Sequence, residues 1–317
     1  MTQDAVLFQA LSDPIRIRIL YLLQEMELSV GELAHTLAQG QPTISKHLKA
    51  LIDCGLVSRR KEGNWVFLRL GDASLVDPLF ILLSRWANVH GHNPWLAADA
   101  ARLTAINAER SAQAAAYFEA HAAEWDRLRA LHVATEDVDK ATLRAIGEHQ
   151  LGEVVDIGTG TGTMIHLLAD RADYIIGIDR SPEMLRFGRA KLLQKDVTNA
   201  ELRQGDMNAL ELPAGSADTV ILHQVLHYAN RPAAVIAEAA RILKPKGKMI
   251  VVDVAPHDRE ELRREHAHAR LGFDDQEVLA FMASADLNGN VVEHLSGGPL
   301  TVTIWSAEPR SARLRAV

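Results

Sequence analysis

An apolar run, Val154-Val155-Asp156-Ile157, delivers the chain into Gly158-Thr159-Gly160-Thr161-Gly162. No other feature of the sequence restricts the fold as severely. Three glycines at alternate positions between a strand-like and a helix-like segment permit a tight turn whose backbone a ligand can approach closely. A second apolar run, Tyr174-Ile175-Ile176-Gly177-Ile178, ends in an acid, Asp179, about twenty residues further on. This is the layout of a nucleotide-type site at the switch point of a doubly wound, Rossmann-like α/β sheet. Further strands are expected at 201–203, 219–222 and 248–254, with helices at 184–193 and 233–243 between them. The segments 290–295 and 300–306, separated by Gly297-Gly298-Pro299, read as a closing antiparallel hairpin.

The chain has 317 residues, enough for two domains, and the part before the glycine run has a different character. Short helices are expected at 4–10, 15–24, 30–38 and 43–54. Ser12-Asp13-Pro14 and Ser29 stand at helix starts, Gly40-Gln41-Pro42 is a break, and Gly55 is a stop. Strands at 57–60 and 65–70 flank the turn Lys61-Glu62-Gly63-Asn64, and 75–89 is an amphipathic helix apolar enough to pair with a copy of itself. Net charge is -7, but between residues 41 and 70 Lys46, Lys49, Arg59, Arg60, Lys61 and Arg69 meet only Asp53 and Glu62. A local basic face on a small helical domain with a hairpin is what a winged helix-turn-helix DNA reader presents, the helix at 43–54 entering the major groove. One cysteine, Cys54, excludes a disulfide within the chain and a multi-cysteine metal site. No apolar run has the length of a membrane span, and the first residues carry no basic segment followed by an apolar core, so a cytoplasmic protein is expected.

Leu11-Ser12-Asp13-Pro14-Ile15-Arg16-Ile17-Arg18-Ile19-Leu20, Pro42-Thr43-Ile44-Ser45-Lys46-His47-Leu48-Lys49-Ala50-Leu51 and Gly55-Leu56-Val57 resemble the ArsR/SmtB family of dimeric bacterial repressors. The resemblance covers roughly residues 5–86. It implies that Gln41, Thr43, Ser45, Lys46, His47 and Lys49 face base edges and phosphates, with Arg59, Arg60 and Lys61 forming the wing. It also implies a homodimer on an inverted-repeat operator of double-stranded DNA. Some members sense metal through cysteines in the third helix. Here the equivalent stretch, Leu28-Ser29-Val30-Gly31-Glu32-Leu33, has no thiol, and no metal is expected.

Two ligand classes compete for the glycine run. A dinucleotide places its pyrophosphate on the helix N-terminus behind G-x-G-x-x-G, but Thr163 stands where the last glycine would be. S-adenosylmethionine (SAM) carries an ammonium, a carboxylate and a sulfonium but no phosphate, and Asp156 at the mouth of the first strand suits it. Asp179 can accept ribose hydroxyls in either class. The glycine run, Gly177-Ile178-Asp179-Arg180-Ser181-Pro182-Glu183-Met184-Leu185, Gly205-Asp206-Met207 and Arg241-Ile242-Leu243-Lys244-Pro245-Lys246-Gly247 resemble the class I SAM-dependent methyltransferases, nearest the quinone and small-molecule branch, over about residues 114–307. The family usually has two glycines where Pro245-Lys246-Gly247 stands, a difference expected to fall in a turn away from the ligand. The resemblance implies that Asp156, Gly158 and Gly160 hold the methionine moiety, Asp179 the ribose, Asp206 and Met207 the adenine, that His223-Gln224 lies under the ligand, and that Thr159, Gly162, Arg180 and Met184 also belong to the cofactor site.

Methyl transfer from a sulfonium needs mainly positioning of the nucleophile and, for a weakly acidic one, removal of a proton. Candidates for that proton are His223, His227 and Tyr117, with Tyr228, Asp253, His257, His121 and Glu124 nearby in the expected fold, while His266 and His268 fit a plain helix surface equally well. Against a DNA methyltransferase stands the lack of an Asn/Asp-Pro-Pro-aromatic tetrapeptide to cradle a flipped base, His223-Gln224-Val225-Leu226 standing near its place. Arsenic methylation would need several thiols. The expected organisation is a DNA-binding and dimerisation domain at 1–90, a helical connector and lid at 91–132, a SAM-binding domain at 133–307 and a tail at 308–317. Two functions fit it: a regulator that also methylates a small molecule, or a non-catalytic sensor of SAM or S-adenosylhomocysteine (SAH).

Overall fold

The computed structural model describes residues 3–62, 65–90, 94–125, 135–296 and 298–310. The hairpin tip Gly63-Asn64, the ends of the expected connector (91–93 and 126–132), Gly297 and most of the tail lie outside the described residues. The chain divides into two compact units, Met1–Ala112 and Gln113–Val317.

In the first unit α1 (Gln3–Leu11) and α2 (Pro14–Glu25) precede a two-residue strand β1 (Leu28–Ser29), α3 (Val30–Leu37) and α4 (Gln41–Asp53). Strands β2 (Val57–Glu62) and β3 (Trp65–Leu70) and helix α5 (Ala73–His90) follow. Local chemistry sets these boundaries. Asp13 accepts the Ile15 amide at 2.8 Å, with Pro14 at the first helical position. Ser29 and Glu32 cap α3 reciprocally, Ser29 Oγ accepting the Glu32 amide and Glu32 Oε2 the Ser29 amide. Gly55, at φ +79°, ends α4. Ile19, Leu20, Leu33, Ile44, Leu48, Leu51 and Leu68 form one core under an antiparallel sheet of order β1-β3-β2. Strand β1, absent from the expected elements, is too short to show a period. Helix α6 (Pro94–His121) begins in this unit: Leu103 joins its core, and buried Asp99 accepts two bonds of 2.6 Å from the Arg18 guanidinium.

The second unit is a seven-stranded sheet of order β6-β5-β4-β7-β8-β10-β9. Strands β4 (Glu153–Ile157), β5 (Tyr174–Asp179), β6 (Ala200–Gln204), β7 (Ala217–His223) and β8 (Leu243–Val254) are parallel. Strands β9 (Leu287–Leu295) and β10 (Val302–Pro309) are antiparallel to each other, and β10 to β8. One face buries Val154, Ile175 and Ile250 under α7 (Thr135–Ile146), α8 (Thr163–Leu168) and α9 (Pro182–Gln194). The other buries Val155, Ile157, Val220 and Leu222 under α10 (Pro232–Ile242) and α12 (Asp275–Ser284). The doubly wound sheet and closing hairpin match the sequence expectation. Helices α7, α12 and the short α11 (Glu260–Glu265) are additional to it. Pro245-Lys246-Gly247 lies inside β8 rather than in a turn, taken up by an irregularity between the pairs Ala217–Leu243 and Thr219–Lys248. Among the described residues no helix is long and apolar enough to cross a membrane.

Candidate functional site

In the first unit α4 buries Ile44, Leu48 and Leu51 and leaves Gln41, Thr43, Ser45, Lys46 and Lys49 exposed, as a 3.6-residue period requires. His47 departs from the expected outward set. It is turned toward α2, its Nδ1 3.6 Å from Asp13 Oδ2, with the side chain 15% exposed. The wing shows the alternation of a strand: Arg59 and Lys61 are exposed while Arg60 points to the other face. Arg60 donates to Glu27 Oε2 at 2.7 Å and to Glu62, and its guanidinium lies 5.0 Å over the Phe67 ring, which stacks on Trp65. A cation committed to two carboxylates and a ring props up the hairpin. Arg60 thus differs in placement from the exposed Arg59 and Lys61.

In the second unit the loop after β4 is built as the glycines require. Gly158, Gly160 and Gly162 all have positive φ, and the amides of Gly158 and Thr159 both donate to the Ile178 carbonyl at 2.7 and 3.0 Å. Asp156, buried, accepts the Thr159 hydroxyl at 2.6 Å. Asp179, the last residue of β5, accepts the Gly160 amide on Oδ2 at 2.9 Å and the Ser181 amide on Oδ1 at 2.8 Å. Burial raises its pKa above the ordinary carboxylate value, and the backbone donors oppose that shift only in part. The carboxylate is thus fixed at the carboxyl edge of the sheet, beside the glycine loop. With the Arg180 amide as a third backbone donor, it retains acceptor capacity for a further hydroxyl.

The remaining expected contacts are placed less uniformly. Arg180 is exposed, whereas Met184 is buried in the first turn of α9, its amide donating to the Ser181 cap at 3.2 Å. Asp206 is exposed and accepts both the amide and the side-chain nitrogen of Asn208 at 2.8 Å, while Met207 is half-buried against the core. His223 is the final residue of β7, not the first beyond it. Gln224 is buried and left-handed at φ +53°, its amide donating to the Val252 carbonyl at 2.7 Å.

Along the same edge the structure assembles a ring cluster that the sequence only hinted at. Trp125 lies against the glycine loop, its Nε1 3.6 Å from where a Cβ of Gly160 would stand. Phe118 packs edge-on to both Trp125 and Tyr228, at 5.4 and 4.8 Å between centroids. His227 shares Nδ1 with Asp253 Oδ1 at 2.7 Å, its amide donates to Asp253 Oδ2, and its ring stacks on His268 at 4.1 Å. The Tyr117 hydroxyl lies 2.7 Å from His266 Nδ1. His266 and His268 therefore belong to this cluster and are not plain surface residues. Tyr228 is held well above its usual pKa, chiefly by burial, so its phenol stays protonated and cannot serve as a base near neutrality. Asp253 acts on His227 rather than outward. Trp125 was missed as a site residue because a single aromatic on an Ala-rich helical stretch carries no periodic signal.

Comparison with known proteins resolves the two parts separately. Residues 13–59 match the profile of the bacterial regulatory proteins of the arsR family, and residues 148–297 match that of a methyltransferase domain. The chain is similar to the arsenic resistance transcriptional regulator ArsR1 of Pseudomonas putida, 36% identical over 31% of this chain and 75% of that protein. It is also similar to phosphatidylethanolamine N-methyltransferase of Cereibacter sphaeroides, 32% identical over 47% of this chain and 75% of that protein. In fold it resembles the YcgJ protein of Bacillus subtilis, with a TM-score of 0.51 and 18% identity over 55% of this chain and 99% of that one.

Proposed function

Given that the chain belongs to the arsR family of bacterial regulators in its N-terminal part and to the methyltransferases in its C-terminal part, we propose that it is a homodimeric repressor whose methyltransferase unit binds SAM and methylates a small molecule. Gln41, Thr43, Ser45, Lys46 and Lys49 contact the major groove, with Arg59 and Lys61 on the backbone. Two copies read an inverted repeat with half-sites about one helical turn apart. The exposed face of α4 and the outward pair on the wing support this set; Arg60 and His47, bonded inward in the free chain, are left out of it here. Exposed Ile81 and Leu82 on α5, with Phe8 on α1, are the apolar surface offered to a second copy.

In the second unit Asp156, Gly158, Thr159, Gly160 and Gly162 hold the methionine moiety, Asp179 the ribose, and Asp206 with Met207 the adenine. When bound, the group supplies an activated methyl carbon. The chain's own residues orient the acceptor and take its proton, His227 and His223 being the candidates for the base, while Tyr117, whose phenol burial holds protonated, orients the acceptor. The observation that carries this reading is the fixed Asp179 carboxylate beside three positive-φ glycines. Helix α6 contributes Asp99, Arg102 and Arg110 to pairs within the first unit and Tyr117 and Phe118 to the ring cluster of the second. This supports a link between ligand state and DNA affinity. The test is calorimetry with SAM and SAH, followed by transfer of labelled methyl from SAM to a panel of amines, phenols and thiols. Micromolar binding with transfer to one class is expected. The absence of binding overturns the assignment, and binding without transfer to any class leaves a sensor in place of an enzyme.

A further inference from the structure

Asp253 binds His227 at three points that together settle which ring nitrogen carries the hydrogen. The carboxylate, fully buried, accepts the His227 amide on Oδ2 at 3.2 Å and the Val254 amide on Oδ1 at 2.7 Å. With both oxygens already acceptors, the 2.7 Å contact to His227 Nδ1 is one in which the ring donates. The hydrogen therefore sits on Nδ1 and the lone pair on Nε2. His268 stacks on the ring at 4.1 Å and Tyr228 lies 4.1 Å from it, so its orientation is held from outside as well. Among the described residues, the ring nitrogens closed off from solvent include both of His223 and not Nε2 of His227. Tyr228 in turn meets Phe118 at 4.8 Å and Trp125 at 6.3 Å, and Trp125 Nε1 lies beside Gly160. The lone pair and the glycine loop thus share one edge of the sheet, walled by rings.

We propose that Asp253 is the positioning residue that holds His227 as the base, and that the acceptor is a phenol- or enol-type hydroxyl. The inference rests on the reading of this unit as a SAM site, and adds to it the acceptor class and the residue behind the base. A thiol ionises in part without help, and an amine attacks as its free base and sheds a proton only afterwards. An alkyl alcohol is too weak an acid for an imidazole to deprotonate. A hydroxyl on a flat unsaturated ring matches the base, and it matches the apolar ring surface beside it. As the acceptor oxygen bonds the methyl carbon, the carbon–sulfur bond breaks and its electron pair stays on sulfur. The hydroxyl proton passes to Nε2, and the imidazolium lies against the Asp253 carboxylate, which stays ionised, until the proton leaves to solvent.

Two measurements on the full-length protein test this. Nitrogen-15 NMR of the histidine rings, with His227 assigned through His227→Gln, should show Nδ1 protonated and Nε2 bare; the opposite tautomer or a doubly protonated ring at pH 8 would overturn the proposal. Labelled methyl transfer from SAM is then followed at pH 8 to phenol, largely un-ionised there, and to 4-nitrophenol, largely ionised. His227→Gln should slow transfer to phenol about 100-fold or more and to 4-nitrophenol only about threefold. Asp253→Asn should show the same pattern with a loss of about tenfold on phenol, and calorimetric affinity for SAM should stay within about twofold in both variants. Equal losses on the two phenols would make the pair a structural pin and overturn the proposal. Transfer only to amines or thiols, or to none of these probes, would overturn the acceptor class while leaving the SAM site standing. Failure of the unaltered protein to bind SAM would overturn the site itself, and the proposal with it.

Discussion

Val225 occupies the space that a side chain at Gly158 would need: a Cβ there would stand 2.2 Å from Val225 Cγ2, and Gly158 itself lies at φ +73°. The loop after β7 is thereby pressed onto the loop after β4, at the switch point where the strand order reverses. Gly158→Ala meets both a forbidden conformation and an overlap. A loss of about 2–5 kcal/mol of unfolding free energy is expected in urea denaturation. Val225→Ala in the same chain should return part of it, because it removes the closest overlap, with Cγ2, while the Cβ contact of 2.7 Å and the strained φ remain. Additive losses in the double variant would show that the two residues do not press on each other.

Asp179→Ala should lower affinity for SAM and SAH alike by tenfold or more, the worth of roughly 1.5–3 kcal/mol in charge-assisted bonds. The pH dependence has a definite sign. Burial raises the pKa of this carboxyl in the free protein, and hydroxyls that donate to it favour the ionised form. Affinity should therefore be full above the raised value and fall as pH drops through it, with a proton released on binding in that window. Titrations in two buffers of different ionisation enthalpy measure that proton. Affinity that stays unchanged as pH falls, down to the acid unfolding of the protein, would remove Asp179 from the ligand.

Lys46→Ala and Arg60→Ala should separate cleanly. The first removes an exposed cation from each copy, so binding to all duplexes weakens and the slope of log affinity against log salt falls by about 0.9 per copy, roughly 1.8 for the dimer. The second removes the guanidinium that bonds Glu27 and Glu62 and covers the Phe67 ring, and should cost stability, by about 1–3 kcal/mol. At temperatures where the domain stays folded its salt slope should be unchanged. A reduced slope in Arg60→Ala would place that guanidinium on DNA after all.

Tyr228 should resist alkaline titration. Its folded pKa lies well above 10, so between the unfolded and folded values the native state binds more protons and stability falls as pH rises. Thermal unfolding should shift downward above about pH 10 in the parent, and less so in Tyr228→Phe. Equal shifts in the two proteins would mean that other groups carry the alkaline transition.

What the sequence discloses, it discloses where a local pattern has a physical cause. The glycine run, the acid after β5 and the alternation of strand and helix are local, and each lies where it was expected. Arg60 was legible in principle: the two-residue period of a strand puts it opposite Arg59 and Lys61, but three adjacent cations read as one patch when counted by charge alone. His47 adjoins the buried stripe of α4, and its partner Asp13 is far away in the chain. His227 with Asp253, Tyr117 with His266, and Trp125 with Gly160 are juxtapositions across long separations. No spacing rule within one segment contains them. Helices α7 and α12 lie where the amphipathic pattern went unread.

The central claim, that one chain reads DNA and a methyl donor together, is tested most directly by operator titration in three states: without ligand, with saturating SAM and with saturating SAH. Linkage requires the ligand's effect on operator affinity to equal the operator's effect on ligand affinity, typically about 1–3 kcal/mol, or 5- to 150-fold. The account predicts binding to an inverted repeat in all three states, with the SAM and SAH curves displaced from each other. Three superimposable curves would contradict it, leaving two tethered units that act independently.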